Sequence, residues 1–124
     1  LQGASTAGPC TEDTDRVRRD ISEGLPGLPV RLALRVLDRT CLPVEGAKVK
    51  VWHTMITGSY AGDTPSPGCR KTDADQLRHA FRGVQTTNAA GRADFDTCFP
   101  GWYPGRAIHI HFTVAAGPFA YTSQ

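Results

Sequence analysis

Two histidines stand two residues apart in the run Arg106-Ala107-Ile108-His109-Ile110-His111-Phe112. Alternate side chains of a β-strand share a face, so the two imidazoles are expected side by side. Side by side they make half of a metal site, or simply a hydrogen-bonded pair. Just upstream, Pro100-Gly101-Trp102-Tyr103-Pro104-Gly105 sets a tyrosine on a tight loop leading into the same strand, where its phenol can turn toward the histidines. A buried imidazole needs a hydrogen-bond partner or a metal. Candidates for further ligands are His53, His79, the carboxylates, the cysteines, Tyr60 and Tyr103.

The elements that must position these groups read as strands. The histidine strand is expected over residues 107–115, with Ile108, Ile110 and Phe112 on the face opposite His109 and His111. Period-two alternation of Val30, Leu32, Leu34 and Val36 marks a strand over 30–38. Val49 and Val51 against Lys48 and Lys50 mark another over 47–53, adjoining it in a β-meander through a turn at 40–46. Residues 81–87 and 92–97 read as a pair of strands turning back at Asn88-Ala89-Ala90-Gly91, and 119–122 as a last strand. Gly58, Gly62, Pro65, Pro67 and Gly68 make 57–75 a long surface loop, the kind that carries function, and Tyr60 lies on it. Residues 1–29 are expected as an extended arm with at most a helical turn in 13–23. The fold class is therefore all-β: one sandwich of short, mainly antiparallel strands over 30–124, with long active-site loops.

Composition removes other classes. The chain has 124 residues, enough for one core, and its 14 Lys and Arg against 12 Asp and Glu leave a net charge of only +2. The basic residues are scattered without interleaved aromatics, which argues against nucleic acid. No apolar run approaches the roughly 20 residues of a membrane span. A start at Leu1 without a leader is read as a mature fragment whose targeting segment is missing. Cys10, Cys41, Cys69 and Cys98 contain no Cys-x-x-Cys pair, which disfavours a thiolate zinc site and favours two disulfides in an extracellular setting, with all three connectivities open.

Val51-Trp52-His53, Gly58-Ser59-Tyr60, Phe81-Arg82-Gly83-Val84-Gln85-Thr86-Thr87, Gly91-Arg92, Pro100-Gly101-Trp102-Tyr103-Pro104-Gly105-Arg106 and His109-Ile110-His111 together resemble the intradiol ring-cleaving dioxygenases, the catechol and protocatechuate dioxygenase family, in its smaller secreted branch. The likeness runs over nearly the whole chain, in the family's order. It implies one mononuclear non-haem Fe(III) held by Tyr60, Tyr103, His109 and His111. The implied substrates are a catechol-type aromatic and O2. Cleavage falls between the two hydroxyl-bearing carbons and gives a cis,cis-muconate-type diacid. The resemblance further implies that Tyr103 leaves the metal as a base, that Arg106 lies beside the reacting ring, and that Gln124 falls where the family has a glutamine near the iron. Gln85 is expected to line the pocket. Cys10 follows Gly8-Pro9 where the family carries a pocket aromatic, and is assigned to the substrate. The Trp-His pair is followed here by Thr54-Met55 where secreted relatives often carry a cysteine. Residues 1–29 cannot supply the helical dimerisation segment of the larger members, which leaves monomer and homodimer open.

Pro43-Val44-Glu45-Gly46-Ala47-Lys48-Val49 with residues 87–95 and Pro100-Gly101-Trp102-Tyr103 also resembles transthyretin-like and carboxypeptidase-regulatory modules, which are sandwiches that bind without catalysis. The set Tyr60, Tyr103, His109 and His111 separates the two readings, because such a module has no use for it. A zinc hydrolase would want a carboxylate or thiolate third ligand near the pair. His53 is expected to be a structural hydrogen-bonder and His79 to be solvated.

Overall fold

Alternating side chains build two apolar sheet faces that cover each other in the computed structural model, which describes residues 7–13, 15–62, 64 and 66–124. Six strands are present: β1 (Pro29–Arg35), β2 (Lys48–Trp52), β3 (Arg82–Thr86), β4 (Arg92–Cys98), β5 (His111–Ala116) and β6 (Phe119–Ser123). One sheet has the order β3-β2-β5-β6 and the other is the ribbon β1-β4, with every named pairing antiparallel. Val49 and Val51 of β2 meet Ala93 and Phe95 of β4 across the core, with Leu32, Leu34, Phe112 and Val114 packed around them. The chain is an all-β sandwich.

All the strands but β5, which begins only at His111, lie close to their expected positions, but their partners differ. The meander fails because β1 pairs with β4, whereas β2 is flanked by β3 and β5. Residues 88–91 do not turn β4 back onto β3; they carry the chain from one sheet to the other. Both of β2's edges are already filled, and the inner face of the larger sheet needs a cover. The ribbon supplies it with Leu32, Leu34, Ala93 and Phe95.

The arm is sewn into both sheets. Val17 bridges Val84 of β3 and Asp20 bridges Asp96 of β4, and Ile21, next after Asp20, is fully buried in the core. No helical turn forms among its described residues. The long loop holds two short 3-10 turns, Pro67–Cys69 and Asp73–Leu77.

Two disulfides were expected and one forms, Cys10 to Cys69, tying the arm to the long loop. Cys41 is exposed and Cys98 is buried, both as free thiols. The second bridge is geometrically out of reach. Cys98 pairs with Pro29 at one end of the ribbon, and Cys41 lies beyond Arg35 at the other, about 20 Å of strand away. A disulfide needs Cα atoms within about 7 Å.

Candidate metal centre

Tyr60 and Tyr103 come from loops far apart in sequence that nest together through two glycines. After β2, Gly58 N donates to Met55 O at 2.9 Å and Met55 N to Ser59 O at 2.8 Å, closing a tight turn. Gly101 N donates to the same Met55 carbonyl at 3.1 Å, and Thr54 Oγ1 to Gly101 O at 2.6 Å. Gly58 has a φ of +78°, and a Cβ there would stand 2.0 Å from Trp102 O; one on Gly101 would stand 2.3 Å from Ile56 O. Any side chain at either position would push the loops apart. Tyr60 N, donating to Cys69 O at 2.8 Å, fixes the tyrosine on the side of the disulfide.

The histidines arrive differently from expectation. The strand begins at His111, so His109 lies in the irregular approach to it and the pair does not share one regular strand. They still converge, with ring centroids 4.7 Å apart and planes at 86°. His111 pairs with Trp52 across the β2 edge, and the two rings stack at 5.1 Å and 6°. His109 is turned by its own loop, its Nδ1 donating to Ala107 O at 2.6 Å.

Four polar atoms meet as a result. Tyr60 Oη lies 3.4 Å from Tyr103 Oη, 3.3 Å from His109 Nε2 and 3.2 Å from His111 Nε2. His109 Nε2 lies 3.1 Å from both Tyr103 Oη and His111 Nε2. These five contacts exceed what the protons present can serve. The Ala107 carbonyl only accepts, so in its neutral form the His109 ring carries its proton on Nδ1 and presents a lone pair at Nε2. At most three protons remain, two phenolic and one on His111. The other contacts bring lone pairs together, which is unfavourable unless a cation lies among them. Contacts of this length are also those of nitrogen and oxygen donors that share one ion at a bond length of roughly 2 Å. Among the described residues no group of three or more His, Cys, Asp or Glu side chains could hold a metal ion; the quartet offers two histidines, and its other two donors are phenols. The donor set of two imidazoles and two phenols, without thiolate, fits a hard trivalent ion such as Fe(III).

Electrostatics divide the quartet. Tyr60 is 2% exposed and His111 4%, whereas Tyr103 and His109 are half-buried. Burial, reinforced by the hydrogen bond to Tyr103, raises the Tyr60 phenol above its ordinary value, so only a nearby cation would draw its proton off. Burial, then repulsion from His109 whenever that ring carries a proton on both nitrogens, lowers His111 to about 4 and keeps its ring neutral.

The other expected site residues are placed unequally. Arg106 Nη2 donates to Gln124 Oε1 at 2.7 Å, and Arg106 N to Tyr103 O at 3.3 Å, so these three residues form one group beside the quartet. Cys10 is locked to Cys69 and packs against the cluster of Trp52, Tyr60 and Cys69, as Tyr103 also does. Gln85 is not brought to the site: it is in register with Val49 and Val114, on the core-side face, whereas Arg82, Trp52 and His111 share the opposite face. His53 lies buried outside the quartet, Nδ1 donating to Thr54 O and Nε2 accepting from Thr97 Oγ1, each at 2.7 Å. His79, expected in solvent, pairs through Nδ1 with Glu12 Oε1 at 2.8 Å because the arm brings a buried carboxylate over it. Three residues not expected near the site stand against it: Trp52 under His111, Arg82 over Tyr60 at 5.9 Å, and Glu12 behind Arg82. The trace in the sequence was Arg82's position, one residue from apolar Phe81 and on the same strand face as Val84.

A family model described as Dioxygenase matches residues 4–122. An intradiol ring-cleavage dioxygenase from Tetranychus urticae superimposes with a TM-score of 0.83 at 33% identity, over 98% of this chain and 63% of that one. The dioxygenase domain of a dioxygenase carbohydrate-binding protein fusion from Streptomyces sp. SirexAA-E gives 0.81 at 29%, over 98% and 71%. Catechol 1,2-dioxygenase from Pseudomonas arvilla C-1 gives 0.78 at 22%, over 97% and 43%, a likeness of fold alone. The chain thus spans less than two thirds of the Tetranychus urticae protein's length. No curated protein matches it.

Proposed function

The chain belongs to the intradiol ring-cleaving dioxygenases, and from that premise we propose that it is an Fe(III)-dependent enzyme cleaving catechol-type rings with O2 to muconate-type diacids. The observation that carries this reading is the quartet of Tyr60, Tyr103, His109 and His111, whose close contacts outnumber the protons available to them. A sandwich that only binds, like a carboxypeptidase-regulatory module, has no reason to assemble it.

Tyr60 and His111 would hold the ion from the buried side, and His109 and Tyr103 from the side open to solvent. Ferric iron, when bound, would acidify the catechol hydroxyls and draw electron density from the ring so that it reacts with O2. Tyr103, half-buried on a Gly/Pro loop, would be the ligand able to move aside, and its oxygen would take up a proton from the incoming catechol. Arg106, held by Gln124, places a guanidinium beside Tyr103's loop, where it offsets negative charge developing on the substrate. Ala107 O keeps the His109 lone pair aimed inward throughout.

Metal analysis and a visible spectrum test the iron. The ferric protein is expected to be reddish through tyrosinate-to-iron charge transfer, and a protein that stays colourless after ferric loading ends this reading. O2 uptake over a panel of substituted catechols, with product identification, then tests the reaction; extradiol products would exclude the intradiol assignment. The Cys10–Cys69 bridge supports an extracellular location. Thiol labelling of the native protein before and after reduction checks it, with four reactive cysteines before reduction counting against it.

A further inference from the structure

Arg82, the first residue of β3, is a cation 3% exposed, with its guanidinium carbon 5.9 Å from the centroid of the Tyr60 ring. Its Nε donates to Ala61 O and its Nη2 to Cys10 O, each at 2.7 Å. Ala61 follows Tyr60 in the chain. Cys10 is bonded to Cys69, whose carbonyl accepts from Tyr60 N. One planar fork therefore ties together both segments that frame the phenol. Behind it, Glu12, also 3% exposed, places Oε2 3.9 Å from Arg82 Nε and Oε1 2.8 Å from His79 Nδ1.

Burying such a pair is expensive in desolvation, and apolar side chains of similar volume commonly fill such space with equal or greater stability. Simple packing of the arm does not call for a guanidinium. A guanidinium over the ring does two things at once: it orients the aromatic through cation–π contact and lays a positive field on the phenol oxygen. Glu12 opposes that field from the far side, so the pair sets its strength.

We propose that Arg82 is a positioning residue for the metal centre, acting through Tyr60: its fork fixes the loop that carries the phenol, and its charge, moderated by Glu12, stabilises negative charge on the Tyr60 oxygen. This rests on the reading of Tyr60 as a ligand of Fe(III). Cys10 takes part through its carbonyl and its disulfide.

The energy of the tyrosinate-to-iron band tests it. A positive charge near the phenolate lowers the donor orbital and moves the band to shorter wavelength; loss of that charge moves it to longer wavelength. Glu12→Gln keeps the shape and removes the opposing charge, and the ferric full-length variant is expected to absorb at shorter wavelength than the parent. Glu12→Gln combined with Arg82→Met removes both charges together, so that neither is left buried alone. That variant is expected to absorb at longer wavelength and to hold iron about 10- to 100-fold less tightly. A clamp acting only through structure would not move the two bands in opposite directions. A Glu12→Gln band that coincides with the parent's, or lies at longer wavelength, overturns the proposal, and does so even where the double variant fails to fold. A parent without any band after ferric loading removes the iron reading itself and this proposal with it.

Discussion

The quartet has an inner and an outer half, built by different means. Tyr60 and His111 are buried, one fixed by a disulfide, an arginine fork and a backbone bond to Cys69, the other stacked on Trp52 at a strand start. Tyr103 and His109 are half-buried and stand on irregular chain shaped by Gly101, Gly105 and the Ala107 carbonyl. A ligand buried among fixed neighbours holds an ion. One on an exposed loop can leave and return, as substrate entry would require. On the proposed function, the difference would give retention to the inner half and exchange to the outer.

The largest expected effect lies on the inner half. Tyr60→Phe keeps the ring and its packing but removes the donor oxygen, and His111→Ala removes the imidazole; each is expected to weaken iron binding by at least about 100-fold, the upper end of what neighbouring-shell changes alone produce. Metal content after dialysis reads it, and full iron occupancy in either variant would erase the inner half's special role. Next, Arg106→Ala is expected to keep its iron and lose about 100-fold in turnover, since it removes one electrostatic group near the reacting ring. Turnover equal to the parent's would take Arg106 out of the mechanism.

A pH dependence follows for the iron-free chain. His111 and His53 are held at about 4 by burial, against an ordinary 6.5. The unfolded chain therefore takes up these protons first, and stability falls as pH drops from 6.5 toward 4, by at most about 3 kcal/mol per histidine, with no further loss through these groups below 4. Urea titrations at pH 7 and pH 4.5 measure the fall, and His111→Gln is expected to flatten it; an unchanged slope would mean that His111 is not neutral in the fold. The smallest effect belongs to the outer half. Tyr103→Phe is expected to hold iron within about tenfold of the parent, with a weaker and displaced visible band, in contrast to the neighbouring-shell range. Iron loss as deep as in Tyr60→Phe would collapse the distinction between the halves.

Local chemistry made much of this molecule legible. Val49 and Val51 against Lys48 and Lys50 mark β2 to within a residue or two, because one strand face is core and the other is not. The residue types of the quartet also stood out, since Gly- and Pro-rich segments flank both tyrosines. What escaped was set by distant chain. The turn Asn88-Ala89-Ala90-Gly91 has hairpin chemistry, yet the strand after it pairs with β1, because strand partners are chosen by which apolar face needs covering. His109 keeps the alternation of a strand but lies outside it, turned by a bond to Ala107 O. Glu12 and Arg82 look like solvated charges until the arm folds over and buries them. The parity that separates Gln85 from Arg82 was present in the numbering, but only the pairing of β3 with β2 tells which parity faces the site.

The flat stack of Trp52 on His111 makes the protein its own optical gauge. Trp52 is 1% exposed and Trp102 66%, so their emissions differ in colour, the buried indole to the blue. A strongly absorbing ion bound at the far edge of the His111 ring drains light from the indole beneath it. Filling of the site can then be followed, without substrate or added dye, as blue emission that fades while the colour of the remainder shifts toward red.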